Sequence, residues 1–207
     1  MAKGFKDLPP TPWTMPFTPL HYALAYAIGC LARRSNVKLD MAGLAVGSFV
    51  PDLECVAIFL AVQHGLLSPE ASWVQTKRLV LHSIIGAITL DALISLALVL
   101  VLYWLLRARL SGVRRPSLMN IYTSSAIGAL SHVLLDALHH PYNPLLFPIT
   151  AENLSLAPMG DLQLGFILAH LLVVPSSIAI FIYEYRKGPG LLLRLLFGPE
   201  AAPGRSK

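Results

Sequence analysis

The stretch of residues 131–141 carries metal-binding side-chain types at helical spacing. It reads SHVLLDALHHP. In a helix, His132, Asp136 and His139 stand at i, i+4 and i+7, so all three project from one face. Imidazole nitrogens and carboxylate oxygens are good ligands for zinc and similar divalent ions. The spacing therefore predicts that this segment contributes to a metal site.

The composition of the chain places this segment in a membrane protein. The chain has 207 residues, of which 55% are hydrophobic and 13% are charged, and its mean hydropathy is +0.63. A soluble domain carries about 25% charged residues. We therefore expect an all-α, polytopic membrane protein whose partner is the lipid bilayer. Polar side chains inside such a protein are costly, which makes them informative.

The net charge of +5 does not indicate a nucleic-acid partner. The basic residues cluster between the apolar runs, as is typical of the loops of membrane proteins, so we expect no nucleic acid to bind. Both cysteines, Cys30 and Cys55, lie inside apolar segments. We interpret them as small buried side chains rather than as a disulfide or a thiolate metal site.

Apolar runs predict a bundle of about five transmembrane helices, since about 20 apolar residues cross a bilayer. Pro51 interrupts the second run, and we expect that helix to be broken there because proline cannot donate to the helical hydrogen-bond ladder. The runs lie at residues 17–34, 41–62, 79–106, 118–138 and 162–185. The predicted domains are an N-terminal extracytoplasmic arm (1–16), a transmembrane helical domain (17–186) and a basic cytoplasmic tail (187–207).

The basic residues also predict the orientation of the chain. With five spans, one side receives about three times as many lysines and arginines as the other, and cytoplasmic loops carry such an excess. Arg33, Arg34 and the arginines of residues 107–115 lie on the richer side. We therefore predict a multi-pass protein of the cell membrane, with the N-terminus extracytoplasmic and the C-terminus cytoplasmic.

Polar residues from four segments distant in sequence fall at a similar depth in this topology. They lie in the outer half of the membrane, which random placement of polar residues would not favour. We therefore expect them to converge on a single site. The candidates are His21, Asp52, Glu54, His82, His132 and Asp136.

A structural interpretation stands beside the functional one for each of these residues. His132 and Asp136 would then form a hydrogen bond that fixes helix packing. Asp52 and Glu54 would cap the half-helix that follows Pro51, because the N-terminus of a helix favours negative charge. His82 would be a core residue bonded to a backbone carbonyl. His21 would be an interfacial residue with no role in a site.

Other polar residues of the apolar runs are predicted to lie outside the site. We interpret His139 and His140 as solvated residues near the outer surface, although one of them is a further candidate ligand. His170 and Asp91 lie deeper in their spans, and we interpret both as structural. Asp91 is nine residues from His82, half a helical rotation away, so it faces a different neighbour.

Four short motifs occur in the order expected of a known family. They read MPFTPLH (15–21), GSFVPDLE (47–54), HS (82–83) and SHVLLD (131–136). On these motifs the chain resembles the YdjM-like family of inner-membrane, metal-dependent hydrolases, over roughly residues 15–148. Members of that family show an early Thr-His, a Pro-Asp-x-Asp/Glu, an HRxxTHS-type stretch and a Thr-His-x-x-x-Asp.

The chain departs from the family pattern at three positions. Its third motif reads KRLVLHS, so Lys77 stands in place of the first histidine of the family and Leu81 in place of its threonine. Ser131 stands where the family has threonine before the last histidine. The loss of the first histidine removes one ligand of the family pattern.

The resemblance implies a membrane-embedded hydrolase that uses one or two divalent ions, with zinc expected. Such an ion lowers the pKa of a bound water and polarises a phosphoryl or acyl oxygen. The resemblance does not specify a substrate, but a site that opens laterally at the outer leaflet suits a phosphate or other ester of a lipid-like molecule. The implied ligands are His21, Asp52, His82, His132 and Asp136.

Two acidic and two basic residues receive further predicted roles. Glu54 is expected to act as the general base, and Asp52 is the other catalytic candidate. Lys77 and Arg78, just outside His82, are expected to attract an anionic headgroup.

Two other classes of protein fit the same sequence. A non-catalytic membrane scaffold or regulator would use the polar residues to hold its helices together. A small transporter would use intramembrane His and Asp, although five spans without a repeat argue against most transporter architectures.

Overall fold

The structure, a computed structural model, describes residues 21–68, 70–110 and 116–201. Within these ranges it is all-helical, which confirms the prediction of an all-α protein. The count of five crossings stays a prediction, and the predicted arm at 1–16 and the end of the predicted tail at 202–207 lie outside the described residues. Four stretches are long and apolar enough to cross a membrane: Met41–Gln63, Ile84–Leu105, Leu118–Ala137 and Leu162–Tyr185.

The helices follow one another with short connections, except for the segment between α7 and α8. A π-helical turn (Ala87–Asp91) joins α5 to α6, and two 3-10 turns cover Pro158–Gly160 and Pro199–Ala201. The α-helices are α1 (His21–Arg34), α2 (Met41–Gly47), α3 (Asp52–Gln63), α4 (Ser72–Thr76), α5 (Ile84–Gly86), α6 (Ala92–Leu105), α7 (Leu118–Ala137), α8 (Leu162–Tyr185) and α9 (Leu191–Phe197).

Short polar side chains determine where four of these helices begin. Each accepts a hydrogen bond from a free backbone N–H of the first turn, which removes an unmet donor from the apolar surroundings. These capping residues are Asp40 for α2, Ser83 for α5, Ser117 for α7 and Asp161 for α8.

Two helices share the stretch of the second predicted span. α2 ends at Gly47 and α3 begins at Asp52, directly after Pro51. The turn between them, residues 48–51, places Asp52 and Glu54 in the first turn of α3.

Helices α2, α6 and α7 form the centre of the bundle. Ala42, Val99 and Ile121 meet in its buried apolar core. Two glycines allow α2 and α7 to touch through their backbones: a Cβ on Gly128 would overlap the carbonyl oxygen of Leu44, and one on Gly47 would overlap that of Ser125. Small residues give membrane helices this close approach. α1 packs against α2, α7 and α8 around this centre.

The outer surface of the bundle is apolar, as contact with a bilayer requires. Leucines such as Leu98 of α6 and Leu171 and Leu172 of α8 are exposed. A soluble protein rarely exposes large contiguous apolar patches. The surface is therefore consistent with the predicted lipid bilayer as the partner of these helices.

An ion pair attaches the short apolar stretch of the predicted tail to the bundle. Arg194 of α9 donates from Nε to Oε2 of Glu184 at 3.0 Å, and both residues are buried. Tyr26 donates to Oε1 of the same carboxylate at 2.6 Å, which links α1 to this pair. The tail thus returns to the helices instead of leaving them.

The backbone contact between α2 and α7 makes Gly128 a sensitive position. We expect Gly128→Val to lower the free energy of unfolding by about 1–3 kcal/mol, because the added atoms meet backbone that cannot move aside. Ala97→Val, on the exposed face of α6, is the matched control and should change little. Thermal unfolding of the purified protein in detergent would measure both. Equal stability of the two variants would contradict this packing.

Candidate metal centre

The residues predicted to form one site do lie together. His21 begins α1, Asp52 begins α3, and His82 comes directly before the cap of α5. His132 and Asp136 occupy the last two turns of α7. All of these side chains are buried except that of Asp52, which is 25% exposed.

The Asp136 carboxylate lies at the middle of the cluster, and its two oxygens face two different sets of residues. Oδ2 lies 3.3 Å from Nε2 of His132 and 3.5 Å from Nε2 of His82. Oδ1 lies 3.5 Å from Nε2 of His21 and 3.5 Å from Nε2 of His140. The carboxylate is therefore placed to join two neighbouring groups of ligands.

Each of these groups has the composition and spacing of a metal site. One contains His21, Asp136 and His139, and the other contains Asp52, His82 and His132; within each, the ligand atoms lie within 4.8 Å of one another. Imidazole nitrogen with carboxylate oxygen is the donor set of many zinc sites. These buried groups can bind a metal ion.

Buried polar atoms without hydrogen bonds show whether the cluster suits a metal ion. A buried polar atom without a partner costs about 1–3 kcal/mol, and here several of them point at one another across distances too long or too poorly aligned for hydrogen bonds. A shared cation would satisfy them together. Counting hydrogen bonds only among the described residues, the atoms without one are Nε2 of His21, His82, His132, His139 and His140, and both oxygens of Asp136, of which Oδ2 forms an ion pair with Arg78.

Backbone carbonyls and a carboxylate orient three of the rings. Nδ1 of His132 lies 2.8 Å from the carbonyl oxygen of Ser48, and Nδ1 of His139 lies 2.9 Å from that of Leu135. A carbonyl can only accept, so the proton of each neutral ring is on Nδ1 and Nε2 keeps a free lone pair. Such outer contacts commonly fix the metal-binding tautomer of histidine.

His21 and His132 compete for one proton. Their Nδ1 atoms are 2.8 Å apart, so only one of the two can carry the hydrogen between them. Because the carbonyl of Ser48 can only accept, Nδ1 of His132 carries a hydrogen. Nδ1 of His21 must then be the acceptor, so the hydrogen of the neutral His21 ring is on Nε2, which faces Asp136. In this arrangement, His132 is ready to bind a metal and His21 is not. The group of Asp52, His82 and His132 is therefore the better formed of the two.

Glu54 holds His82 and the chain before it in place. Its carboxylate accepts hydrogen bonds from the backbone N–H groups of Leu79, Val80 and Leu81 at 2.6–3.1 Å, and it lies 3.0 Å from Nδ1 of His82. A carboxylate with four such partners has little capacity left to accept a proton from water. The geometry thus does not fit the predicted role of Glu54 as the general base; it makes Glu54 a residue that positions His82.

Arg78 lies inside the cluster, whereas the sequence predicted it just outside. Its side chain is buried, and Nη2 lies 2.9 Å from Oδ2 of Asp136. Nη1 is also buried and has no hydrogen-bond partner among the described residues. Lys77 is only half-buried, and its backbone carbonyl accepts a hydrogen bond from Sγ of Cys55. The two basic residues therefore have different surroundings.

The interpretation of His139 and His140 as solvated was wrong, because both are buried against Asp136. Burial lowers the pKa of His140 well below its ordinary value, and the positive charge of Arg78 acts in the same direction. Burial likewise lowers the pKa of His139. Both rings are therefore neutral at pH 7, as metal ligands must be. The sequence alone could have indicated the contact of His140 with Asp136, because residues four apart lie on the same face of a helix.

His170 lies beside the cluster but outside both groups of ligands. Its Nδ1 lies 2.8 Å from the carbonyl oxygen of Phe166, one turn earlier in α8, and its ring centroid is 6.1 Å from that of His139.

A family model places the chain among related proteins. The model of the family described as "Domain of unknown function (DUF4184)" matches residues 15–190. The chain belongs to this family, and the match includes every residue of the cluster. No curated protein and no solved structure matches the chain.

The contacts of Glu54 lead to a prediction about metal affinity. We expect Glu54→Gln to weaken the binding of a divalent ion by about 10- to 100-fold, because outer-contact residues of metal sites have effects of this size. Zinc titration against a chromogenic chelator would measure the change. Glu70→Gln, at an exposed acid between α3 and α4, is the control. Unchanged affinity in Glu54→Gln would show that this carboxylate does not orient His82.

Proposed function

We propose that the protein is a membrane-embedded, metal-dependent hydrolase of the YdjM-like type. It would cleave a phosphate or other ester of a lipid-like substrate at the outer leaflet. The observation that carries the proposal is the buried Asp136 carboxylate, which faces unmet histidine nitrogens on both sides. Helix packing alone needs one such contact, not a converging set.

The donor set favours zinc. Imidazole nitrogens outnumber the carboxylates, and no thiolate takes part in either group of described residues. Magnesium and calcium prefer oxygen-rich sites. Zinc would supply a bound water of lowered pKa and would polarise the ester oxygen. His82, His132, Asp52 and Asp136 would hold the first ion, and the residues at Oδ1 of Asp136 would hold a second.

Arg78 is our candidate for binding the substrate. One of its terminal nitrogens pairs with Asp136 and the other, Nη1, remains free to donate. A guanidinium has several donors in a fixed plane, so one residue can hold a carboxylate and an oxygen of a phosphoryl group together. This arrangement supports a phosphate ester, which is anionic, rather than an uncharged ester as the substrate.

Asp52 is our candidate for the proton acceptor. It is the only member of the two ligand groups with a substantially exposed side chain, so water reaches it. Its carboxylate is also a ligand candidate, and a metal-bound carboxylate beside a bound water can take the proton of that water. Asp52 takes this role because Glu54 is engaged by the backbone of residues 79–81.

The surroundings of Asp52 support a lipid-like substrate. Leu53 and Val56, its neighbours in α3, are 46% and 56% exposed. An apolar surface beside the one exposed ligand would let an acyl chain lie in the bilayer while its headgroup reaches the metal. The excess of basic residues in the loops at the other end of the helices supports the outer leaflet as the location.

Metal content is the direct test of the proposal. We expect the purified wild type to contain zinc, and Asp136→Asn to contain almost none, because the two oxygens of Asp136 face the histidines of both groups. His132→Ala should lose more metal than His21→Ala, because only His132 is in the metal-binding tautomer. Elemental analysis by mass spectrometry measures all four proteins.

Asp161→Asn is the control, since Asp161 is an exposed residue that caps α8 and belongs to neither group of ligands. Wild type and Asp136→Asn with equally negligible zinc, manganese and iron would contradict the metal site. A loss of thermal stability in His132→Ala, with no effect of chelators on the wild type, would instead support the scaffold.

Arg78→Lys tests the substrate class. The ammonium of lysine can pair with Asp136 but cannot also present a second donor in a fixed plane. We expect kcat for a lipid phosphate ester to fall about 10²- to 10³-fold, with zinc content preserved. Phosphate release from short-chain phosphatidic acid in mixed micelles is the assay, and Lys77→Arg is the control. No hydrolysis by zinc-loaded wild type, or no difference in Arg78→Lys, would contradict this role.

A further inference from the structure

Asp91 is a buried carboxylate that the metal centre does not use. It ends the π-helical turn before α6 and is 0% exposed. Counting partners within the described part of the chain, neither of its oxygens accepts a hydrogen bond, and it forms no ion pair. An unpaired carboxylate inside a membrane protein is expensive and normally has a partner.

Two serines with buried hydroxyls follow Asp91 along the contact between α6 and α7. Ser95 is one helical turn after Asp91 and one turn before Val99 in α6. Ser125 is one turn after Ile121 in α7. Val99 and Ile121 meet in the same core cluster, so this register places Ser95 and Ser125 at one level between the two helices.

Asp91 lies one helical turn before Ser95, at the next position along the contact between α6 and α7. Ala87, one turn before Asp91, packs with Ala129 and Val133 of α7. The carboxylate thus lies between an apolar layer on the side of the metal centre and the serine level. Ser95 and Ser125 are both 0% exposed, and neither hydroxyl has a hydrogen-bond partner among the described residues.

These three side chains supply only oxygen atoms, and α2 closes the space beside them. The backbone of Gly43 comes so near that a Cβ there would be 3.2 Å from Oγ of Ser125. The π-helical turn adds an irregular stretch of backbone at the same place, and such turns are frequent at functional sites. Irregular backbone and hydroxyl oxygens in membrane helices are known ligands of alkali cations.

The charge of Asp91 decides which kind of cation can bind beside it. One carboxylate balances one positive charge, so a divalent ion would leave a net charge buried among apolar helices, at high cost. A proton on Asp91 would remove the charge but would leave both serine hydroxyls without a hydrogen-bond partner. A monovalent cation satisfies the carboxylate and both hydroxyls at once.

We propose that Asp91, Ser95 and Ser125 form a binding site for a monovalent metal cation, sodium or potassium, between α2, α6 and α7. The bound cation holds the three central helices together at the level below the metal centre. The site uses none of the proposed zinc ligands and does not depend on hydrolase activity.

The cation dependence of thermal unfolding tests the site. Wild-type protein in detergent is unfolded at constant ionic strength in sodium, potassium or N-methyl-D-glucamine chloride. We expect sodium or potassium to raise Tm relative to the organic cation, by roughly 5–10 °C at 100 times the Kd. Asp91→Asn removes the charge at nearly constant shape, and its Tm should be the same in all three salts.

Serine variants and a matched control complete the experiment. Ser95→Ala with Ser125→Ala should raise the cation concentration of the half-maximal shift several-fold. Ser177→Ala is the control, because its hydroxyl already donates to the carbonyl of Val173; it should respond like wild type. A wild type indifferent to all three cations overturns the proposal, as does an equal response in Asp91→Asn. Zinc content, measured in parallel, should be unchanged in Asp91→Asn.

Discussion

A negative charge buried at the end of α7 constrains all the helices and connections that meet there. The side chain of Asp136 is 2% exposed, and an isolated carboxylate cannot be stable in such surroundings. Arg78 supplies one positive charge, and the imidazole nitrogens on both sides of the carboxylate remain unmet. Every element that reaches this point must bring a group that neutralises or shares the charge.

Glu54 transmits this requirement to the backbone. By accepting from three consecutive N–H groups before His82, it fixes an irregular segment that no helix would stabilise. The same segment carries Arg78, so one carboxylate of α3 positions both the candidate ligand His82 and the guanidinium beside Asp136. The turn of residues 48–51 contributes as well, through the carbonyl of Ser48 on His132. Irregular backbone is tolerated at membrane depth where protein surrounds it.

The central helices show how close packing and buried polarity combine. Glycines allow α2 and α7 to touch, and the resulting bundle has room for two polar levels, one at the metal centre and one at Asp91. An apolar layer of Ala87, Ala129 and Val133 separates them. Each level contains carboxylate oxygen, but only the level of Asp136 contains imidazole. The two proposed sites therefore differ in the cation that their donor atoms favour.

The sequence by itself determined the helical class, the membrane-spanning character and the set of polar residues that meet, because apolar length and the expense of buried polar groups are properties of composition and spacing. Only the tertiary structure decided which atoms face one another. It buried His139, His140 and Arg78 at Asp136, and it engaged Glu54 with the backbone of residues 79–81. Those outcomes depend on the turns after α7 and before α5, where no periodicity fixes the direction of a side chain. It also buried Asp91 at the end of the π-helical turn, without a hydrogen-bond partner among the described residues.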